Sequence, residues 1–299
     1  MADRLKEVVT FLPERLRDIV ADRAKAAGDD ITEIRLRVNC PLVIREGCRE
    51  KVYRDIIVTV QDIRQCVQFI SDYSLFARQE DVKNGFITLR GGHRAGIAGQ
   101  VVMDKGNIVS QKNISFINIR VAHEIIGCAD KLMNFVLKGD RLKNTLIISP
   151  PGCGKTTILR DIIRQLSNGT NGKAYSVGVV DERSEIAACY EGIPQNDIGI
   201  RTDVLDQWTK PEGMMVLLRS MAPDVIAVDE LGSYEDIRAV RHMMSCGCAV
   251  IATIHGDSPQ VLEDNAIFRE TGKESGFKRL IVLGKSKGIG TVEEVIDCC

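Results

Sequence analysis

The stretch Leu146–Leu159, LIISPPGCGKTTIL, carries an apolar run into two prolines, two glycines and a lysine, and then into a second apolar run. From Gly154 onward it fits the end of the pattern G-x-x-x-x-G-K-[ST], with Ser149 where the pattern has its first glycine. The pattern serves a tight turn whose backbone N–H groups all point inward at a phosphate. Gly152 and Gly154 permit positive φ and close approach, and Pro150 and Pro151 stiffen the chain ahead of them. A helix expected over 155–167 presents the positive end of its dipole to the same anion. Pro151, Gly152, Cys153, Gly154, Lys155, Thr156 and Thr157 are thus the candidate ATP contacts. Lys155 would reach the β- and γ-phosphates, and Thr156 would hold Mg²⁺. The competing reading, a glycine turn that only starts a helix, does not account for a strand before the turn and a helix after it where the motif requires both.

Around this stretch the pattern is an alternation. Strands are expected at 145–149, 174–181, 225–229 and 248–253, with helices at 155–167, 212–221 and 235–246, which predicts a parallel sheet with crossover helices. The first part of the chain reads differently. Two short helices over 3–27 are broken by Pro13, and "AGDD" at 27–30 ends them. Strands follow from Ile31, then a helix over about 61–76, then short glycine-punctuated strands up to about Val109. A helix is expected near 129–138. The fold class is therefore α/β, a nucleotide-binding domain built on a parallel sheet with a smaller α+β amino-terminal domain. The boundaries are 1–122 for the amino-terminal domain, 123–140 for a linker and 141–299 for the nucleotide domain, with a hinge at about 121–140.

Three further segments carry polar residues to strand ends. "PDVIAVDEL" (223–231) ends in Asp229-Glu230, where one carboxylate could serve Mg²⁺ and the next could orient an attacking water. "IATIHGDSP" (251–259) places Thr253 and His255 at a strand end, His255 being either a γ-phosphate sensor or an ordinary satisfied polar residue. "VGVVDERSEIA" (177–187) clusters Asp181, Glu182 and Glu185, as a solvated loop or as part of the site. The segment 187–213 has three open readings: a pore loop, a docking surface or an ordered connection.

These pieces in this order resemble the traffic ATPases of type II and type IV secretion and of type IV pili, a hexameric RecA-like group. "ATIHGDS" is similar to that family's histidine box, "VDERSE" to its acidic box, and "PDVIAVDE" to its second acidic strand. "ITEIRLRVNCPLVIREG" is similar to its amino-terminal strands, and "GHRAGIAG" and "FINIRVAHE" to its arginine-bearing segments. The resemblance spans nearly the whole chain, and within the group it points to the sporulation branch. It implies a cytoplasmic mother-cell ATPase in a homo-hexameric ring. That ring would sit on the membrane through inner-membrane proteins of the same sporulation operon and serve a channel toward the forespore. It implies Glu230 at the catalytic position, Asp181 and Glu182 in support, His255 as sensor, and Arg94 or Arg120 on the γ-phosphate. Asp229 departs from the glycine many relatives carry, which makes it a candidate Mg²⁺ ligand beside Thr156. Gly256-Asp257 replaces a Thr-Asn pair, and the zinc-binding tetracysteine of the type II enzymes is missing.

Composition narrows the alternatives. Lys+Arg 40 against Asp+Glu 41 leaves a formal net charge of −1, so no broad nucleic-acid surface is implied. A nucleic-acid motor would need basic pore loops, for which Arg201 and Lys210 are the scattered candidates. A nucleotide switch without turnover would have no use for Glu230. The ten cysteines are widely spaced and fit reduced thiols better than a disulfide scaffold or a zinc site. No apolar run reaches the roughly 20 residues of a membrane span.

Overall fold

The computed structural model describes residues 3–27, 30–47, 49–74, 78–139, 141–170, 172–264 and 276–298. The "AGDD" break expected at 27–30, the end of the helix expected over 61–76, and Cys299 lie partly or wholly outside the described residues. The chain forms two compact units, Met1–His123 with Ala188–Gln195, and Glu124–Ala187 with Asn196–Cys299.

In the first unit, α1 (Asp3–Thr10) and α2 (Glu14–Ala27) part at Pro13, which has no N–H to continue a helix. They are followed by β1 (Ile31–Arg37), β2 (Pro41–Glu46), β3 (Arg49–Ile57), α3 (Val60–Ile70), α4 (Gln79–Asn84), β4 (Phe86–Thr88), β5 (Arg94–Asp104) and β6 (Asn107–Arg120). The strands form an antiparallel sheet in the order β3-β2-β1-β6-β5-β4. Leu5, Val8, Leu12, Leu16 and Val20 are buried with Ile34, Leu36, Ile44, Ile117 and Ile119 in one core. Helix α3 opens on a reciprocal cap between Thr59 and Asp62 and stops at Ser71, short of the expected position 76. Of the short strands expected after Gly85, β4 is one, while the rest of the stretch runs into a long hairpin, β5–β6. Gly99 does not break β5, because it sits at a register shift where a Cβ would come 2.6 Å from the Lys112 carbonyl oxygen.

Part of the segment left open at 187–213 belongs to this unit. Tyr190 donates its hydroxyl to Asp72 at 2.5 Å, and Gly91 N–H donates to the Gln195 side chain at 2.9 Å.

The second unit begins with residues the sequence reading gave to a linker. They form α5 (Asp130–Val136), the helix expected near 129–138, whose Leu132, Met133 and Val136 are buried, and β7 (Leu137–Lys138), which pairs with β8 (Arg141–Leu142) just past the expected linker. Then come β9 (Thr145–Ser149), α6 (Lys155–Asn168), β10 (Val177–Asp181), β11 (Thr202–Asp206), α7 (Lys210–Ser220), β12 (Val225–Val228), α8 (Tyr234–Ser245), β13 (Ala249–His255), β14 (Arg279–Gly284) and β15 (Thr291–Asp297). Their sheet runs β11-β10-β12-β13-β9-β14-β15, parallel except for the β14–β15 hairpin. Strands β9, β10 and β12 are buried along their whole length, as a sheet covered on both faces requires. The short strand β11 lies inside the segment 187–213 and was not anticipated. The parallel arrangement brings the carboxyl ends of β9, β10, β12, β13 and β14 to one edge, where ligands bind in open α/β sheets.

Candidate active site

The turn after β9 takes the conformation its glycines allow. Gly152 has φ +69° and Gly154 φ +81°, and Gly154 is the residue before α6. No side chain among the described residues caps α6, so the N–H groups of its first turn have no side-chain acceptor. That is the arrangement expected of a phosphate cradle. Cys153 in the turn is buried, and Lys155, the first residue of α6, is half-buried.

Strands β12 and β13 supply the acids and their partners. Thr156 Oγ1 donates to Asp229 Oδ2 at 2.5 Å, and Thr253 Oγ1 donates to the other oxygen of the same carboxylate. The Glu230 N–H donates to Thr253 Oγ1 at 2.8 Å, which anchors Glu230 in a left-handed conformation, φ +57°. A non-glycine residue there costs about 1 kcal/mol, and such strain is characteristic of functional positions. Glu230 Oε1 meets His255 Nε2 at 3.0 Å, and its Oε2 accepts from Arg183 Nη1 at 2.6 Å. Lys155 Nζ lies against the same ring, 3.1 Å from His255 Nε2 and 3.4 Å from Nδ1. A continuous polar chain thus runs from Lys155 through His255 and Glu230 to Arg183.

A hydroxyl and a carboxylate side by side at the start of α6 are the protein donors Mg²⁺ takes when phosphates and waters complete its shell. Thr156 and Asp229 fit that role. Among the described residues no group of three or more His, Cys, Asp or Glu could hold a metal by itself.

The acidic loop after β10 is built differently. Asp181 is buried, and its carboxylate accepts three backbone N–H groups: Glu185 at 2.8 Å, Ile186 at 3.0 Å and Ala187 at 2.8 Å. Glu182 pairs with Lys210, itself mostly buried. Asp181, Glu182, Glu185, Lys210, Asp229 and Glu230 nevertheless line one small cleft. Asp181 therefore serves the backbone of the loop rather than offering a free carboxylate. Arg201 and Lys210, the scattered candidates for a basic pore loop, are both engaged within the unit. Lys210 is engaged by Glu182, and Arg201 donates to the Ser167 carbonyl at 2.9 Å. Arg94 and Arg120 lie in the first unit, opposite each other across β5 and β6. The Arg94 guanidinium stacks 3.5 Å from the centre of the Phe86 ring, and exposed Arg120 is 4.0 Å from Glu33.

Arg183 was missed by sequence reasoning. An arginine between acids in "DERSE" looks like ordinary charge alternation, and only the fold sets it against Glu230.

The fold has solved counterparts. The chain matches the ATPase DotB of Yersinia pseudotuberculosis with a TM-score of 0.65 over 97% of this chain and 81% of that one, at 14% identity. It matches the pilus retraction motor PilT, solved with bound ADP, with a TM-score of 0.64 over 94% of this chain and 82% of that one, at 17% identity. These likenesses show that the chain shares the fold of those two ATPases. In sequence the chain is 39% identical over 295 residues to stage III sporulation protein AA of Bacillus subtilis (strain 168), covering 98% of this chain and 95% of that protein. The family model described as "Sporulation stage III, protein AA" matches residues 2–298, so the chain belongs to that family.

Proposed function

We propose that this protein hydrolyses ATP and uses the energy to cycle a ring that serves a secretion-like channel between mother cell and forespore. The observation that carries the reading is the chain Lys155–His255–Glu230–Arg183 set against Thr156 and Asp229. A protein that only held nucleotide would not need a strained acid fixed by three groups. The turn amides and Lys155 bind the phosphates, and Thr156 with Asp229 hold Mg²⁺. When bound, that ion neutralises phosphate charge.

Glu230 orients and deprotonates the attacking water, its carboxylate aimed by Arg183 and His255. His255 also touches Lys155, so a change at the phosphates reaches Glu230 through one ring. Asp181 holds the acidic loop in shape, Glu182 anchors α7 through Lys210, and Arg94 or Arg120 supplies charge to the γ-phosphate. The resemblance to the traffic ATPases and their sporulation branch supports a homo-hexamer on the cytoplasmic side of the mother-cell membrane, docked on inner-membrane proteins of its operon. No helix among the described residues is long and apolar enough to cross a membrane.

The test is ATP turnover of the wild type beside Lys155→Ala and Glu230→Gln, with and without single-stranded DNA and RNA, while light scattering reports mass. Turnover lost in both variants, indifferent to nucleic acid and accompanied by a mass well above one chain, is expected. Turnover stimulated by nucleic acid would replace the secretion reading with a translocase, and undiminished turnover in Glu230→Gln would remove Glu230 from the chemistry.

A further inference from the structure

The phosphate strand β9 has two neighbours. One is β13, which brings His255; the other is β14, which pairs with it in parallel so that Val282 lies opposite Ile148. The turn joining β14 to β15, Lys285-Ser286-Lys287-Gly288-Ile289-Gly290, therefore emerges at the same edge as the phosphate turn, on the side away from Glu230. It comes close to that turn. A Cβ placed on Gly152 would lie 3.7 Å from Lys285 Nζ, and one placed on Gly154 would lie 3.3 Å from Ile289 Cγ2. Gly290 leans on the first turn of α6, its own Cβ position 3.1 Å from Ile158 Cδ1.

The turn is braced. Glu293 accepts from Ser286 N–H at 3.0 Å and from Ser286 Oγ at 2.8 Å. Thr291 Oγ1 donates to the Gly288 carbonyl at 2.6 Å and accepts from Lys287 N–H at 3.3 Å. Two of its side chains are held in solvent without an evident structural use. Lys285 is exposed and has no ion pair among the described residues, and Ile289 is 73% exposed beside the phosphate turn.

A water-directing acid marks where the terminal phosphate sits, so the rest of a nucleotide must leave on the opposite side of the turn, toward β14. We propose that the 285–290 turn is the second wall of the nucleotide site. Lys285 contacts the α- and β-phosphate oxygens, and Ile289 gives the apolar surface on which the ribose and purine rest. This inference rests on the nucleotide reading above and adds to it a cation and an apolar contact that no motif announces.

Calorimetric titration with ATP, ADP and inorganic tripolyphosphate in the presence of Mg²⁺ tests it on full-length wild type, Lys285→Ala, Lys285→Arg, Ile289→Ala and Lys155→Ala. Both positions are exposed, so the variants should melt like the wild type. Lys285→Ala should weaken ATP, ADP and tripolyphosphate alike by about tenfold, as loss of one charge-assisted contact does, and Lys285→Arg should restore most of it. Ile289→Ala should weaken ATP and ADP by about fivefold and leave tripolyphosphate unchanged. Wild-type affinities in the Lys285→Ala and Ile289→Ala variants, with binding still lost in Lys155→Ala, would overturn the wall and leave the ATPase reading standing. Wild type that binds neither ATP nor tripolyphosphate would overturn both.

Discussion

Two acidic clusters stand at the same edge of one sheet, and they have been given different work. After β10, Asp181 is consumed by three backbone amides and Glu182 by Lys210. After β12, Asp229 faces two hydroxyls, and Glu230 faces an arginine and a histidine that can let it go. A carboxylate bound by fixed amide dipoles in a buried loop cannot leave without exposing unpaired N–H groups, so it builds structure. One held by side chains in a half-open cleft can exchange partners when phosphate and water arrive. Residue type and position are alike in the two clusters, so the partners decide the role.

The sharpest way to break this contrast is to remove one acid from each cluster. Glu230→Gln should lower ATP turnover by about 10²–10³-fold while the thermal midpoint stays near that of the wild type. Asp181→Ala should do the reverse, costing about 3 kcal/mol in urea unfolding because buried amides lose their acceptor. A stable Asp181→Ala protein with no turnover would mean that the acidic loop belongs to the chemistry after all.

The contrast extends to the first unit, where His93 is fully buried and its Nδ1 accepts the Ala122 N–H at 3.0 Å. Burial, with Arg4 close by, pushes the imidazole down to about 4. Its other nitrogen faces Glu7 Oε2 at 3.7 Å. An unfolded histidine takes up its proton near 6.5, so below that pH the unfolded chain binds more protons than the folded one. Stability from this group is therefore complete above about pH 6.5 and declines as the pH falls toward 4, by about 3 kcal/mol in all. Urea midpoints measured between pH 7 and 4.5 should show that decline, and His93→Gln should flatten it. An unchanged slope in the variant would place the acid sensitivity elsewhere.

The smallest effect is expected at Lys210→Met, which keeps the buried stem and removes the partner of Glu182. Stability should fall by about 1 kcal/mol, and turnover should change by less than about threefold. A large loss of turnover would show that Glu182 must be restrained for Glu230 to work.

Much of this was legible in the chain. The order strand, glycine turn, lysine, helix is local, and so is the alternation that follows it, because each step is a matter of backbone freedom and apolar period over a few residues. Asp229, Glu230 and His255 could be named because strands that end in polar residues after an apolar run point to the edge of a parallel sheet. The resemblance to the traffic ATPases named Arg94 and Arg120, which no spacing would have singled out, and their place at a phosphate is part of the proposal.

Other features were not legible, and each depends on contacts between residues far apart in sequence. Strand β11 is five residues with no run of apolar side chains, so it takes strand form only because β10 offers it an edge. The helix α5 was expected near 129–138, but its packing into the second unit rather than into a linker was not. Arg183 and Glu230 are 47 residues apart, and Lys285 stands more than a hundred residues from the glycine it approaches. The sequence by itself determined that a phosphate turn, a helix and a pair of acids would exist, since those follow from local geometry and charge. Only the tertiary structure decided which acid is tied to the backbone, which is held by side chains, and which turn lies beside the glycines on the far side. Those outcomes depend on which strands lie next to each other, and strand adjacency is set by packing across the whole sheet.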